Sequence, residues 1–403
     1  MPPVAEKYKT GKNEEDIRAR IVTSMAEPES RLLEERKKGG DTETMEVNMG
    51  PQHPSTHGVF RAVVELDGET VVKVVPHIGY LHRGIEKLAE HRNYSQIIPL
   101  TDRLDYMAGA SNNLGYCLTV EKLMGIETPP RGQFIRVILT ELSRICSHLF
   151  WAGANAHDLG AMTPFFYMCR EREQILFLLE RATGARLTPS FFRIGGVAMD
   201  LPPEFPDECR KFVKAFPDRV DEYETLLTEN PIWKSRTQGV GYLSAEDCIG
   251  MGVSGPMARA AGINWDLRKN QPYSSYEKFD FTVPVYQGCD AYDRYRVRIM
   301  EMRQSNEIIR QALEGLPEGD HSVTMKPTIK PPVGEVYQAI EAPRGELGFY
   351  IISDGTVQPY RLKVRAPTFV NLQSLPKMSE GRLFSDMVSA LSSIDLVLAE
   401  VDR

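Results

Sequence analysis

The chain has 403 residues, a formal net charge of −7 and a hydrophobic fraction of 42%, values typical of a globular protein with a large core. The negative charge provides no overall positive field for nucleic acid or anionic lipid, so we expect no nucleic-acid partner. The six cysteines form no Cys-x-x-Cys pair, which argues against a disulfide framework or a zinc or iron–sulfur site held by this chain.

The composition of residues 1–43, which is rich in Lys and Glu, predicts a polar N-terminal arm with a short helix around Glu27–Lys38. Such a composition is typical of a segment that is disordered or that lies along a partner. The N-terminus is too charged for a signal peptide, and no apolar run is long enough to span a bilayer. We therefore expect any membrane association to depend on partner proteins.

Strand patterns open the rest of the chain. Thr44–Met49 reads as a strand, and Val59–Leu66 and Thr70–Val75 alternate apolar and polar residues around an Asp67-Gly68 turn. Alternation on both sides of an Asp-Gly pair is a strong hairpin signal. We predict a small antiparallel sheet there.

Between the first two strands lies the segment GPQHPSTHG, Gly50–Gly58. Its glycines and prolines fix an irregular backbone, and a rigid loop on strands suits a side chain that must reach a small target. His53 and His57 are the candidates, because histidine changes charge near neutral pH. The alternative is a tight turn whose histidines only cap backbone groups.

A helical middle follows. Segments with helical periodicity are Tyr80–Tyr94, Thr101–Met124, Arg131–His157, Thr163–Thr183, Pro203–Leu227 and Ala291–Leu316. The tail predicts strands at Gly334–Ala342, Glu346–Ser353 and Tyr360–Ala366, then a helix near Gly381–Ser392. We predict an α+β fold, a long-helix bundle with small antiparallel sheets from both terminal parts. The predicted divisions are 44–79 (sheet with the histidine loop), 80–330 (helical core) and 331–403 (β-rich part and last helix).

Two patterns resemble known ligand sites but lack the required context. GMGVSG, Gly250–Gly255, matches the dinucleotide-binding spacing, yet it follows a short predicted helix, Ser244–Ile249, so we predict a turn. His148 and His157 are nine residues apart, not the four of a helical zinc pair. We predict that His148 packs within its helix, whereas Asp158 at the helix end could orient a histidine elsewhere.

Two charged clusters remain. Thr101–Tyr106, TDRLDY, reads as the first turn of a helix, with Arg103 and Tyr106 on one face. Leu81–Lys87, LHRGIEK, reads as a solvated helix start. Neither cluster shows its chemistry from the sequence alone.

These clusters belong to a series of long motifs. In order they are GPQHPSTHG, PHIGYLHRGIEK, DRLDY, RVILTELSRICSH, DLGAMTPFFYMCRERE, RIGGV, DLRKNQPY, APRGELG and VRAPTFVNLQSL. The series resembles the quinone-site subunit of respiratory complex I, also called the 49 kDa subunit of NADH–quinone oxidoreductase. The resemblance runs from Met45 to Arg403 and leaves residues 1–43 outside.

The resemblance implies a fold like that of the nickel–iron hydrogenase large subunit. Hydrogenases hold their metal with one Cys-x-x-Cys motif in each terminal part. Here those positions carry Asp105, Ala108, Val397 and Glu400. Soft nickel is not held by such side chains, so we expect no metal site, and a hydrogenase large subunit becomes a remote alternative.

The resemblance also implies site residues. It puts His57 and Tyr106 at the quinone headgroup as catalytic hydrogen-bond and proton donors, with Asp158 paired to His57. It puts Arg83 and Arg103 near a tetranuclear (4Fe–4S) cluster held by a neighbouring subunit. The chain would then bind no cofactor of its own, and the quinone would be its substrate.

The implied function is that of a quinone-reducing subunit in the peripheral arm of a proton-pumping enzyme. The implied partners are the small iron–sulfur subunit, a 30 kDa-type subunit and a quinone-channel membrane subunit, on the cytoplasmic side of the inner membrane. The isolated chain is expected to be inactive. A non-catalytic scaffold for the iron–sulfur subunit is the main alternative. Departures from many relatives are Thr188, where they carry histidine, and a shorter segment between Leu316 and Gly334.

Overall fold

The computed structural model describes residues 44–56, 58–326 and 328–403. The predicted arm with its Glu27–Lys38 helix, and His57 itself, lie outside the described residues. No helix in the described ranges is long and apolar enough to cross a membrane.

The described strands form two three-stranded antiparallel sheets and one two-stranded ribbon, with orders β1-β2-β3, β6-β7-β8 and β4-β5. The strands are β1 (Met45–Met49), β2 (Arg61–Asp67), β3 (Thr70–His77), β4 (Phe192–Arg193), β5 (Gly196–Val197), β6 (Gly334–Ala342), β7 (Gly345–Ser353) and β8 (Arg361–Arg365). The Asp67-Gly68 hairpin is confirmed: Asp67 pairs with Thr70, and Gly68 has the positive φ that such a turn requires.

Helices fill the space between the sheets. They are α1 (Ile85–Ala89), α2 (Tyr94–Thr101), α3 (Gly109–Met124), α4 (Pro130–Asp158), α5 (Met162–Thr183), α6 (Phe205–Leu227), α7 (Pro231–Thr237), α8 (Ala245–Gly250), α9 (Pro256–Ala260), α10 (Leu267–Asn270), α11 (Ala291–Glu314), α12 (Pro367–Leu372), α13 (Leu375–Ser379), α14 (Phe384–Ile394) and α15 (Leu398–Asp402). The long helix α4 packs against α5 and α11.

Two hydrophobic clusters hold these elements together. The larger cluster joins the long helices to the C-terminal sheet, where α3 packs on β6 and β7. The smaller cluster joins the N-terminal sheet to α13 and α14, through residues such as Phe60, Val64, Met387 and Leu391. Helices and small antiparallel sheets therefore share the molecule, as the predicted α+β class requires. The boundaries proposed at 79/80 and 330/331 stay predictions.

The predicted helix Tyr80–Tyr94 is wrong. Gly84 adopts a left-handed conformation with φ of 64°, so the chain becomes helical only from Ile85. Helix α1 ends at Ala89, and Asn93 then begins α2 through a capping box with Gln96.

The predicted helix Thr101–Met124 is also wrong in its first part, because α2 ends at Thr101 and α3 begins only at Gly109. Asp105 stabilises the turn between them, since its Oδ1 accepts hydrogen bonds from the backbone N–H groups of Met107 (3.0 Å) and Ala108 (3.3 Å). Arg103 and Tyr106 therefore lie in a turn and not on one face of a helix.

The structure also agrees with the predictions for GMGVSG and for His148. GMGVSG forms the turn between α8 and α9, as expected, and no strand precedes it. His148 is fully buried in α4, where its Nε2 lies 2.9 Å from Glu301 Oε2. The last predicted helix, Gly381–Ser392, is observed three residues later as α14.

The three glycines of GMGVSG differ in how closely other atoms approach the position of an added Cβ. At Gly255, with φ of 71°, an added Cβ would clash with Gly345 Cα and lie 2.7 Å from the Arg344 carbonyl oxygen. Gly252 also has a positive φ, but its Cβ would meet nothing closer than 3.8 Å, and Gly250 is unobstructed. We expect Gly255→Ala to destabilise by about 3 kcal/mol, because backbone strain and overpacking add. Gly252→Ala should cost about 1 kcal/mol.

Gly250→Ala is the matched control and should change stability by less than about 0.5 kcal/mol. The measurement is the thermal unfolding midpoint of the three variants in the assembled protein. Equal midpoints for Gly255→Ala and Gly250→Ala would contradict the close approach of the two backbones.

Candidate functional site

Arg344 joins two segments that are far apart in the sequence. It lies in the two-residue turn between β6 and β7 and is 2% exposed. Its Nη1 donates to the Asp105 carboxylate, and its Nη2 donates to Asp395 Oδ1 at 3.0 Å. Its Nε donates to the Asp395 backbone oxygen, also at 3.0 Å. The turn 102–108 and the segment 395–400 therefore meet around one guanidinium group.

Glu400 lies beside this arrangement. Its Oε2 accepts hydrogen bonds from the Thr368 hydroxyl and from the Thr368 backbone N–H, the latter at 3.2 Å. Burial and the nearby Asp105 carboxylate raise the pKa of Glu400 to about 7. Burial also raises the pKa of Asp105, although Arg344 opposes the change. We define Asp105, Asp395, Glu400 and Arg344 as the acid cluster.

The acid cluster includes positions at which the family resemblance implies that hydrogenases carry cysteine. Asp105 and Glu400 stand at two of these positions, and both side chains are buried. Within the described ranges, no group of three or more His, Cys, Asp or Glu side chains has an arrangement that could hold a metal ion. The cluster is instead organised by one arginine, which carboxylates bind strongly.

Tyr106 lines a small cavity next to the acid cluster. The cavity has a volume of about 30 Å³, room for about one water molecule. It is lined by Tyr106, Met107, Phe150, Trp151, Ala154, Asn155, Arg344, Ser392, Asp395, Leu396 and Val397. Tyr106 is 39% exposed, so its ring faces both the cavity and the outside. Burial of the ring raises the pKa of its hydroxyl above the usual 10.

An aromatic rim continues outward from this cavity. Phe150 lies 6.5 Å from Phe165 between ring centroids, and Phe165 lies 5.9 Å from Phe166. Phe166 is 61% exposed and Met162, one helical turn before it, is 54% exposed. Exposed apolar groups gathered beside a cavity are typical of a binding surface for an apolar ligand or partner.

Asp158 belongs to the same region. It is the last residue of α4, and its Oδ2 accepts a hydrogen bond of 3.0 Å from the Ser392 hydroxyl. The Ser392 carbonyl oxygen accepts a 2.8 Å bond from the indole N–H of Trp151. Because Ser392 and Trp151 both line the cavity, Asp158 and Tyr106 lie around one site. Sequence reasoning did not find Ser392 as a site residue.

The residues that flank the loop Gly50–Gly58 belong to the same hydrophobic cluster as one residue of the cavity wall. Met49 and Phe60, which flank the loop, pack in one hydrophobic cluster with Ile394 and Leu396, and Leu396 lines the cavity. His53 is exposed, and its Nδ1 accepts the backbone N–H of Ser55 at 3.2 Å, as expected of a residue with a structural role. His57 lies outside the described residues, so its predicted role remains a proposal.

Arg83, in the loop before α1, contacts Arg103, in the turn before α3. Arg83 Nη2 donates to the Arg103 carbonyl at 2.7 Å and to the Ala399 carbonyl at 3.2 Å. Burial and the nearby positive charge of Arg103 lower the pKa of Arg83. The Asp402 carboxylate fixes the loop before Arg83 by accepting the backbone N–H groups of Gly79 (2.8 Å) and Leu81 (2.7 Å).

The sequence departs from that of many relatives at Thr188 and between Leu316 and Gly334, and the structure describes both places. Thr188 has a positive φ of 47°, and Ser190 of the same loop donates a hydrogen bond to the buried Asp102. The segment between Leu316 and Gly334 contains no helix or named strand in its described residues.

The sequence is similar to one family along most of its length. Residues 158–329 and 320–403 match the family described as "Respiratory-chain NADH dehydrogenase, 49 Kd subunit". A subunit of the NADH-quinone oxidoreductase of Geotalea uraniireducens is 53% identical over 387 residues, covering 90% of this chain and 99% of the relative. The corresponding subunit of the Solibacter usitatus enzyme is 56% identical over 363 residues, covering 90% of this chain and 98% of the relative. The chain therefore belongs to the 49 kDa subunit family of respiratory-chain NADH dehydrogenase, one of the subunits of the multi-subunit NADH-quinone oxidoreductases.

Proposed function

We propose that this chain forms the headgroup end of a quinone site, at which a quinone is reduced to a quinol. The observation that supports the proposal best is the position of Tyr106. Its phenol is part exposed at a cavity that combines apolar walls, Phe150 and Trp151, with polar groups, and Asp158 reaches the same cavity through Ser392. Because the cavity itself is water-sized, the quinone headgroup would lie at the exposed side of Tyr106, where apolar side chains and a few placed polar groups suit it.

The proposed chemistry needs two protons at two oxygens. Tyr106 would donate one, since its raised pKa keeps it protonated at neutral pH. His57 would donate the other, with Asp158 favouring the charged imidazolium. The described side chains offer no electron carrier, so the two electrons would come from the tetranuclear iron–sulfur cluster of a neighbouring small subunit.

The surface around Arg83 and Arg103 fits a neighbour that holds such a redox group. Burial and the positive charge of Arg103 lower the pKa of Arg83, although Asp402 opposes the change, so two arginines bring positive charge to this face. Positive charge beside a redox cluster favours its reduced state. We place the iron–sulfur subunit on this face and the quinone at Tyr106.

Membership of the family supports a wider proposal. We propose a fold shared with the nickel–iron hydrogenase large subunit, in which two residues of the acid cluster, Asp105 and Glu400, stand at two of the four thiolate positions. The further partners would be a 30 kDa-type subunit and a quinone-channel membrane subunit, in a proton-translocating enzyme on the cytoplasmic side of the inner membrane. The chain itself would bind the quinone as substrate and no cofactor of its own.

A photoreactive azido-ubiquinone tests the binding site. In the assembled complex we expect cross-links within residues 102–109 and 150–158 of this chain, because both segments line the cavity. Excess unlabelled short-chain quinone should remove them. Labels confined to other subunits, or insensitive to competition, would favour the scaffold alternative.

A further inference from the structure

The acid cluster contains more negative than positive groups. Asp105, Asp395 and Glu400 are between 1% and 5% exposed, and Arg344 forms an ion pair with each of the two aspartates. The groups that face Glu400 are Asp105 from the turn before α3, Arg344 from the β6–β7 turn and Thr368 from α12. Three ionised carboxylates around one guanidinium would leave uncompensated buried charge, which is costly. Three carboxylates and one guanidinium carry a net charge of −2, and one proton shared within the cluster lowers it to −1 and so reduces that cost.

Two of these carboxylates present oxygens with no hydrogen-bond partner among the described residues, Glu400 Oε1 and Asp395 Oδ2. Asn155 is 1% exposed, and both polar atoms of its amide also lack a partner there. Asn155 and Asp395 line the 30 Å³ cavity together with Tyr106. The unpartnered atoms of Asn155 and Asp395 around a water-sized space are typical of a site that binds ordered water. Arg344 also lines the space and links it to the rest of the acid cluster, including Glu400.

We propose that Glu400 is protonated at the start of each turnover and that the acid cluster returns its proton to Tyr106 through this cavity. The proposal rests on the proposed quinone-reducing function and extends it to the source of the tyrosine's replacement proton. Glu400 is a positioning and proton-storing residue, because it acts on the substrate only through Tyr106.

Each bond that breaks in this relay is matched by one that forms. The Tyr106 O–H bond breaks and a quinone O–H bond forms, while both electrons come from the neighbouring iron–sulfur cluster. The Glu400 carboxyl O–H then breaks and the Tyr106 O–H forms again, which leaves a Glu400 carboxylate that solvent reprotonates before the next turnover. An acid with a pKa of about 7 protonates a phenolate whose pKa lies above 10, so the transfer is favourable.

Glu400→Gln in the assembled complex is the main test. Glutamine keeps an acceptor for the Thr368 hydroxyl and N–H but carries no transferable proton. We expect the first quinol to form at the wild-type rate, because Tyr106 still carries its own proton. We expect steady-state quinone reduction to fall about 10-fold or more. The wild-type rate should decline as pH rises through about 7, where Glu400 loses its proton, and the variant should lack this inflection. Glu400→Asp should restore part of the rate.

Glu171→Gln is the matched control, since Glu171 is also 1% exposed and paired with an arginine, Arg170, but lies away from the cavity. It should leave the pH profile unchanged. If Glu400→Gln fails to assemble, Thr368→Val is the second variant. It removes the hydroxyl that donates to Glu400 and lowers its pKa, so the inflection of the rate should move to higher pH. An infrared band of a protonated carboxyl, present in the wild type at neutral pH and absent from Glu400→Gln, gives an independent measure.

A wild-type steady-state rate and pH profile in Glu400→Gln, or no loss of the carboxyl band, would overturn the proposal. Its failure is distinguishable from failure of the proposed function. If Tyr106→Phe also leaves quinone reduction intact, the quinone site itself is misassigned. If Tyr106→Phe is impaired while Glu400→Gln is normal, the site stands and only the relay is wrong.

Discussion

Quinone reduction by the assembled complex should fall about 100-fold or more in Tyr106→Phe, because a positioned general acid contributes about 10²–10⁴ in rate. Phenylalanine keeps the ring that forms part of the cavity wall beside Met107 and Phe150, so the shape of the site is retained. Only the hydroxyl, and with it the proton for one quinone oxygen, is removed.

The assay compares two reactions of one preparation. NADH oxidation with a hydrophilic artificial acceptor should be unchanged, because electrons then leave before the quinone. Tyr360→Phe is the control, since Tyr360 is a 68% exposed tyrosine outside the cavity, and it should behave as wild type. His57→Ala should parallel Tyr106→Phe. Unchanged quinone turnover in both variants would remove the basis for the proposed function.

The pH dependence separates Tyr106 from other groups. Burial raises the pKa of Tyr106 above 10, so its hydroxyl remains protonated through the physiological range. An inflection of the wild-type rate near pH 7 must therefore come from another group, and the carboxyl of Glu400 is the candidate.

The parts of the fold that the sequence predicts correctly are those with long, regular patterns. The helices near Arg131–His157 and Pro203–Leu227 and the tail strands agree with the structure within a few residues. Periodicity fails where side chains bind the backbone. Asp105 ends the helical pattern by accepting two N–H groups, and Asn93 starts a helix inside a segment that reads as continuous. These bonds depend on side-chain geometry that hydrophobic spacing does not record.

The residues of the site likewise divide into those that the sequence indicates and those that it does not. The histidine loop and Tyr106 stand in motifs that draw attention, but Arg344 does not, because an arginine in a hairpin turn is usually solvated. Its partner Asp105 lies 239 residues away in the sequence, and no local pattern links them. Ser392 and Asn155 carry even less signal. Their role follows from a cavity that forms where α4 and α14 meet the turns carrying Tyr106 and Arg344.

Arg344→Met should destabilise the protein by about 3–5 kcal/mol at pH 8, because removing one partner leaves buried carboxylates uncompensated. Methionine fills much of the volume of the arginine side chain, so most of the loss is electrostatic. The variant should recover part of its stability at pH 6. Burial raises the pKa of Asp105 and Arg344 no longer opposes the change, so this carboxyl can then take up a proton. The measurement is the thermal inactivation midpoint of the assembled complex at the two pH values.

Arg310→Met is the matched control. Arg310 also binds two carboxylates, those of Glu307 and Glu314, but its side chain is 46% exposed. Exposed pairs contribute about 0–1 kcal/mol, so this variant should be close to wild type at both pH values. A double variant, Arg344→Met with Asp105→Asn, should be more stable at pH 8 than Arg344→Met alone, because one carboxylate fewer is left unpaired. If Arg344→Met and Arg310→Met have equal midpoints at pH 8, Arg344 does not compensate the acid cluster.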